Sequence, residues 1–299
     1  MVLNARVNEI LLDKYILEID KTGEIIQASI RGNTKKTNNI LVGDQVEVEF
    51  FYDRYMITKI YTRKNSLIRP PVANIDNLVI VISLSNPIPD YYLLDKQLVL
   101  CQSKNISPII VVNKIDLNLT ESTKKDIEYI QKVYQNLGID VFYVSSKENI
   151  GINELQNSLK GKVSAFSGNS GVGKSSIINS IFKGNIKEAL VSDIARKTSR
   201  GKHTTKHVKI YSQDDVYILD TPGFSSYELY DINYRALKGL YPEFSRYECS
   251  YLDCNHINEN IDVCSIKQKV QEGNIDFGRY ERYKELFLKL KEIEARKYK

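Results

Sequence analysis

The sequence predicts a multidomain chain of three units. These are an N-terminal OB-like β-barrel over residues 1–66, a central α/β domain over 67–230 and a C-terminal helical domain over 231–299 that binds a metal. Three observations lead there. Short apolar–polar alternations fill the first 65 residues. Strand-length apolar runs then alternate with helical stretches to about residue 230. Three of the four cysteines crowd with a histidine between 249 and 264.

The barrel rests on four alternating bursts, Tyr15–Ile19, Glu24–Ile30, Gln45–Phe51 and Tyr55–Ile60, separated by turn residues at Lys21-Thr22-Gly23 and Tyr52-Asp53-Arg54. Five or so strands in about 65 residues suit an OB-like barrel, whose face and loops commonly take oligonucleotides. Its loop Arg31–Asn39 is basic and free of acids. A barrel that serves only as a spacer or a protein-docking module fits the same pattern.

Further along, the runs Leu78–Leu84, Pro108–Asn113, Val141–Ser145, Val163–Ser167 and Val216–Asp220 read as strands, with helices over Ser122–Leu137 and Asn153–Lys160 between them. This alternation predicts a mostly parallel sheet covered on both faces, with ligands at the carboxyl ends of its strands. No stretch reaches the roughly 18 apolar residues of a membrane span. The charged, interrupted N-terminus does not read as a secretion signal, so a cytoplasmic protein with no membrane partner is expected. The formal net charge of +5 names no partner alone. Its distribution says more: Arg196–Lys209 carries six Lys or Arg, two histidines and no acid.

Gly168-Asn169-Ser170-Gly171-Val172-Gly173-Lys174-Ser175 fits G-x-x-x-x-G-K-[ST], follows a predicted strand and opens a helix that also carries Ser176. Glycines there let backbone N–H groups turn around phosphate oxygens beside a helix N-terminus. Lys174 would neutralise the β and γ oxygens, and the Ser175 hydroxyl would ligate Mg²⁺.

Base choice is read upstream at Asn113-Lys114-Ile115-Asp116, ending another strand. A carboxylate at Asp116 accepts two hydrogen bonds from the guanine edge, and adenine has no matching donor pair. Asn113 would tie this segment to the phosphate loop, Lys114 would lie along the base, and Ser145-Ser146-Lys147 would offer a backbone N–H to guanine O6.

Asp220-Thr221-Pro222-Gly223 ends the strand Val216–Leu219. Asp220 is the carboxylate for Mg²⁺, and the Gly223 N–H faces the γ-phosphate. Thr204 and Thr205, inside the basic run, offer the remaining Mg²⁺ hydroxyl; either fits, Thr205 being the expected ligand. Ordinary GTPases place the phosphate loop first and N-K-x-D late. Here the complete set occurs in permuted order, and Gly223 leads directly into the C-terminal domain. Phe224 stands where many GTPases place a water-orienting glutamine. His203 is the candidate within the chain for that task, and contact with RNA phosphate is the competing reading of the same residue.

Cys249-x₄-Cys254-x-His256-x₇-Cys264 offers three thiols and one imidazole, the donor set of closed, structural zinc sites. With all four positions filled by protein, it leaves none for a reacting water. Cys101 reads as a packed core thiol.

The chain resembles the RsgA family, circularly permuted GTPases of small ribosomal subunit biogenesis. The resemblance is carried by Asn113–Asp116, Gly168–Ser176, the stretch 200–205 (RGKHTT), Asp220–Gly223 with Phe224, the stretch 241–244 (YPEF) and the four metal-ligand candidates. The spacing between His256 and Cys264 is two residues longer than the family pattern. The resemblance implies hydrolysis of GTP to GDP coupled to docking on and leaving the 30S subunit late in its maturation, with contacts to 16S rRNA. Phe224 in place of the glutamine predicts turnover that is slow alone and rises on the ribosome, and a monomer is expected. Phosphate contacts are expected from Arg31–Asn39, Arg196–Lys209 and Arg279–Lys299. A rival reading is a nucleotide-gated RNA-binding module with negligible hydrolysis, which Phe224 keeps open.

Overall fold

The computed structural model describes residues 2–12, 14–30, 39–117, 120–183, 208–220, 229 and 231–297. Five strands open the chain: β1 (Val2–Leu11), β2 (Lys14–Ile19), β3 (Ile25–Ile30), β4 (Gln45–Phe51) and β5 (Arg54–Ile60). They pair in the order β1-β2-β3-β5-β4, and β4 returns to β1, so the sheet closes into a barrel with no free edge. Only the β3–β5 pairing within it is parallel. Every second residue turns inward to a core that includes Ala5, Val7, Leu17, Val46, Val48 and Ile57. Nearly all of the basic loop of 31–39 lies outside the described residues.

After a short hairpin, β6 (Ser66–Leu67) with β7 (Val72–Ala73), the central sheet begins at β8 (Asn77–Ser83). It continues through β9 (Ser107–Asn113), β10 (Asp140–Val144), β11 (Val163–Ser167), β12 (Lys209–Gln213) and β13 (Val216–Asp220), in the order β10-β9-β8-β11-β13-β12. All are parallel except β12, which runs antiparallel to β13. β8 is buried along its whole length because helices cover both faces. Leu78, Ile80 and Ile82 face α1 (Tyr91–Lys104) and α2 (Glu121–Val133). Val79 and Val81 face α3 (Ile152–Ser158) and α4 (Lys174–Ile181).

β1 joins the two sheets, since beyond its barrel pairings Glu9 registers with Lys209 of β12, with an ion pair at 3.2 Å. Glu18 accepts from Asn8 at 2.7 Å and Ser212 at 2.8 Å across the same seam. Arg63 clamps Asp44 through two nitrogens, at 2.7 and 2.8 Å, where the barrel hands over to the sheet.

Beyond residue 231 the chain runs through 3-10 turns and ends in α5 (Ser265–Gln271) and α6 (Phe277–Lys297). These pack on α1 and share its hydrophobic core, with Tyr241, Phe244, Tyr283 and Leu286 among the contributors. The contact also holds a buried ionic cluster. Arg279 reaches Asp95 and Glu243, Arg282 reaches Asp95 at 2.6 Å, and Tyr134 donates to Asp95 at 3.0 Å. This corrects one expectation: Arg279 and Arg282, counted there among the cations free for phosphate, are committed to internal carboxylates, while Lys289, Lys291 and Arg296 of the same helix are exposed. No helix among the described residues is long and apolar enough to cross a membrane.

Removing Arg279 leaves Glu243 without a partner and Asp95 with half its compensation in a site closed to water. Arg279→Met is expected to lower unfolding free energy by about 3–5 kcal/mol, read from the denaturant midpoint. A loss below about 1 kcal/mol would show that the carboxylates tolerate isolation.

Candidate functional site

Several predicted site residues converge at the carboxyl edge of the parallel sheet. β11 ends at Ser167, and the loop from Gly168 bends back into α4, which begins at Lys174. Gly168 sits at φ +134, and a Cβ there would lie 2.1 Å from the Val81 carbonyl oxygen. No side chain fits between the loop and β8. Gly173 sits at φ +97, where a Cβ would lie 2.2 Å from the Asn113 amide nitrogen.

That approach exists because Asn113, the last residue of β9, works in two directions. Its Nδ2 donates to the Val172 carbonyl at 2.9 Å, and its Oδ1 accepts from the Ser146 N–H at 3.2 Å. One buried side chain therefore joins the phosphate-type loop to the loop after β10. Ser180 of α4 donates to the Ser146 carbonyl at 3.2 Å and repeats the link. Ser145 donates to Asp116 at 2.6 Å. This bond, more than any other influence, holds the half-buried Asp116 carboxyl below its ordinary range. Asp116 is thus an ionised acceptor, as recognition of a donor pair requires.

Lys174 donates to the Gly168 and Asn169 carbonyls, both at 2.8 Å, so its ammonium is folded onto the loop it serves. Burial lowers its pKa. Ser175 and Ser176 are exposed on the first turn of α4. Lys114, at φ +67, donates to the Asn86 carbonyl, a contact with the segment after β8 that the motifs did not indicate. Asp220 ends β13, immediately after the Ala165–Leu219 pair with β11, so its backbone lies beside the phosphate-type loop's strand. His203, Thr204, Thr205, Gly223, Phe224 and nearly all of the basic run 196–209 lie outside the described residues.

A second constellation sits in the C-terminal arm. Cys249, Cys254 and Cys264 place their sulfurs 3.5, 3.3 and 3.5 Å from His256 Nδ1, and Cys249 Sγ lies 3.9 Å from Cys264 Sγ. All four ligand atoms fall within 4.8 Å of one another. A tetrahedral zinc with bonds of about 2.3 Å to sulfur and 2.0 Å to nitrogen sets those edges near 3.5 and 3.8 Å, so the donor set fits that ion in size and kind. Burial pushes Cys254 up to about 12 and His256 down to about 4, which leaves the imidazole neutral and ready to ligate.

The His256–Cys264 segment contains a 3-10 turn at Ile261–Val263, and Ser250 N–H bonds the Val263 carbonyl at 3.1 Å, next to Cys264. Lys238 donates to the Leu252 and Cys254 carbonyls, and Lys267 to those of Ile257 and Glu259. Tyr283 and Tyr280 of α6 donate to the Asn255 and His256 carbonyls at 2.7 and 2.6 Å. Cys101 is buried in the core, as expected.

Comparison with known proteins agrees with this geometry. A family model described as RsgA GTPase matches residues 60–230. The small ribosomal subunit biogenesis GTPase RsgA of Ruminiclostridium cellulolyticum is 38% identical over 286 residues, covering 93% of this chain and 91% of its own. The protein of that name from Leuconostoc citreum is 39% identical over 300 residues, covering 99% and 97%. The crystal structure of YjeQ from Thermotoga maritima superposes with a TM-score of 0.85 at 33% identity, covering 97% and 99% of the two chains. YloQ, described as a circularly permuted GTPase, gives 0.82 at 30% identity, covering 98% and 96%. On these findings the chain belongs to the RsgA GTPase family and is a GTPase with a circularly permuted core.

Proposed function

We propose that this GTPase acts in small ribosomal subunit biogenesis, binding the 30S subunit late in its maturation and leaving it as GTP becomes GDP. The observation that carries the reading is the Asn113 bridge, which makes one pocket of three strand-end loops. Its relatives' names state the biological setting.

In this reading Gly168 to Ser176 cradle the phosphates and Asp116 selects guanine. Lys114 lies along the base, and the Ser145–Lys147 loop meets O6. Lys174 exchanges its two carbonyl acceptors for β and γ oxygens when nucleotide enters. Mg²⁺ accompanies GTP in this enzyme class; Ser175, Asp220 and one of Thr204 and Thr205 would hold it, and bound there it neutralises developing phosphate charge. Gly223 senses the γ-phosphate and transmits its loss to the C-terminal arm.

Phe224 has no proton or lone pair with which to orient water, so turnover alone is slow and rises on the ribosome; His203 is the candidate within this chain for that task. The barrel (1–66) and the C-terminal arm (231–299) grip 16S rRNA on either side of the GTPase core (67–230), and the protein works in the cytoplasm as a monomer. Cys249, Cys254, His256 and Cys264 hold one structural Zn²⁺, whose binding energy folds the irregular loop that carries them. A nucleotide-gated RNA binder with negligible hydrolysis is the alternative, favoured by Phe224 alone.

Two measurements follow. Purified chain is expected to co-sediment with 30S subunits with a GTP analogue, to leave with GDP, and to hydrolyse GTP faster when subunits are present. Retention that ignores the nucleotide contradicts the coupling, and unstimulated, negligible turnover selects the alternative. The protein should also carry about one zinc per chain, and Cys264→Ser should lose it and melt earlier. Unchanged metal content and melting would show a thiol cluster without an ion.

A further inference from the structure

Helix α1 is tied to both constellations, directly to the phosphate loop's strand and through α6 to the Cys/His loop. On one face Gln97, 3% exposed, donates its amide to the Ser167 hydroxyl at 2.6 Å, and Ser167 hands β11 to Gly168. Ser167 is itself 1% exposed. The other end of the amide, Oε1, has no hydrogen-bond partner among the described residues. Gln97 also lines a void of about 10 Å³ with Gly168, Asn169 and Val172. That is room for about one water at the base of the loop.

Two residues earlier, and so turned about 200° around the helix, stands Asp95. It receives Arg279 and Arg282 from α6. The same α6 carries Tyr280 and Tyr283, which hold the His256 and Asn255 carbonyls of the Cys/His loop. α1 is therefore fastened on opposite faces, to the phosphate loop through Gln97 and to the Cys/His arm through Asp95.

We infer that Gln97 is a positioning residue for the phosphate loop, held by the Asp95–Arg282 clamp, so that α1 couples the Cys/His arm to nucleotide binding by a route separate from the segment after Asp220. The inference rests on the reading that residues 168–175 hold the nucleotide. A loop that presents its N–H groups to phosphate binds well only if those groups are arranged beforehand. The Asn113 bridge fixes that loop at Val172, toward its end. The Gln97 bond fixes its beginning.

The test is a pair of double-mutant cycles read by titration of fluorescent GDP and a non-hydrolysable GTP analogue. The chains are wild type, Gln97→Leu, Ser167→Ala and their double, then Arg282→Met alone and with Gln97→Leu. Gln97→Leu and Ser167→Ala are each expected to weaken binding about five- to tenfold, and the double no more than either, since both remove one bond. Arg282→Met should weaken binding in the wild-type background and leave it unchanged beside Gln97→Leu. A merely structural role gives additive losses in both cycles. Additivity, or Gln97→Leu binding as tightly as wild type, overturns the inference. If Gln97→Leu fails to fold, Gln97→Met carries the same cycles. Wild-type chain that binds no guanine nucleotide, or Lys174→Ala that binds as well as wild type, removes the phosphate-loop reading and this inference with it. Binding by wild type with additive cycles removes the inference alone.

Discussion

The site depends on one side chain that cannot be shortened or recharged without cost. Asn113 offers a donor and an acceptor a fixed distance apart, and both are used, to the Val172 carbonyl and the Ser146 N–H. Aspartate lacks the donor, and alanine leaves two buried backbone groups unpaired, about 1–3 kcal/mol each. The glycine at 173 exists for the same reason, since any Cβ would occupy the space that amide fills.

That bond also explains why permutation is harmless. β9, β8, β11 and β13 lie side by side although the chain visits them out of order, and each points its carboxyl end to the same edge. Loops leaving neighbouring parallel strands meet in space whatever their place in the sequence. What the order does change is mechanical: the segment after Asp220 leads straight into the arm that carries the Cys/His cluster.

Much of this was legible from the residues. Val163–Ser167, Val216–Asp220 and Gln45–Phe51 appear as read, because a sheet buried on both faces demands continuous apolar strands and a barrel demands alternation. The clustering of Cys249, Cys254, His256 and Cys264 was legible from donor type and spacing. Three features were not. β1 mixes Arg6, Asn8 and Glu9 with its apolar residues because it serves two sheets, so it shows neither pattern cleanly. α1 is buried from Leu94 to Cys101 right around its circumference, which erases the 3.6-residue period, and its Asp95 and Gln97 look like surface residues until their partners are seen. Asn86 contributes a carbonyl, which no side-chain pattern announces. The basic character of the last helix misled for a related reason: charge was visible, but not the buried acids that consume it at Arg279 and Arg282.

The barrel, the permuted core and the Cys/His arm matter functionally only if loops from separate parts of the chain make one guanine-specific pocket. Isothermal calorimetry on the purified chain addresses that assembly. GTP and GDP should each release or absorb heat at about one site per chain, with different affinities and no competition from ATP or ADP. Silence with both guanine nucleotides, or equal competition by the adenine ones, would contradict it.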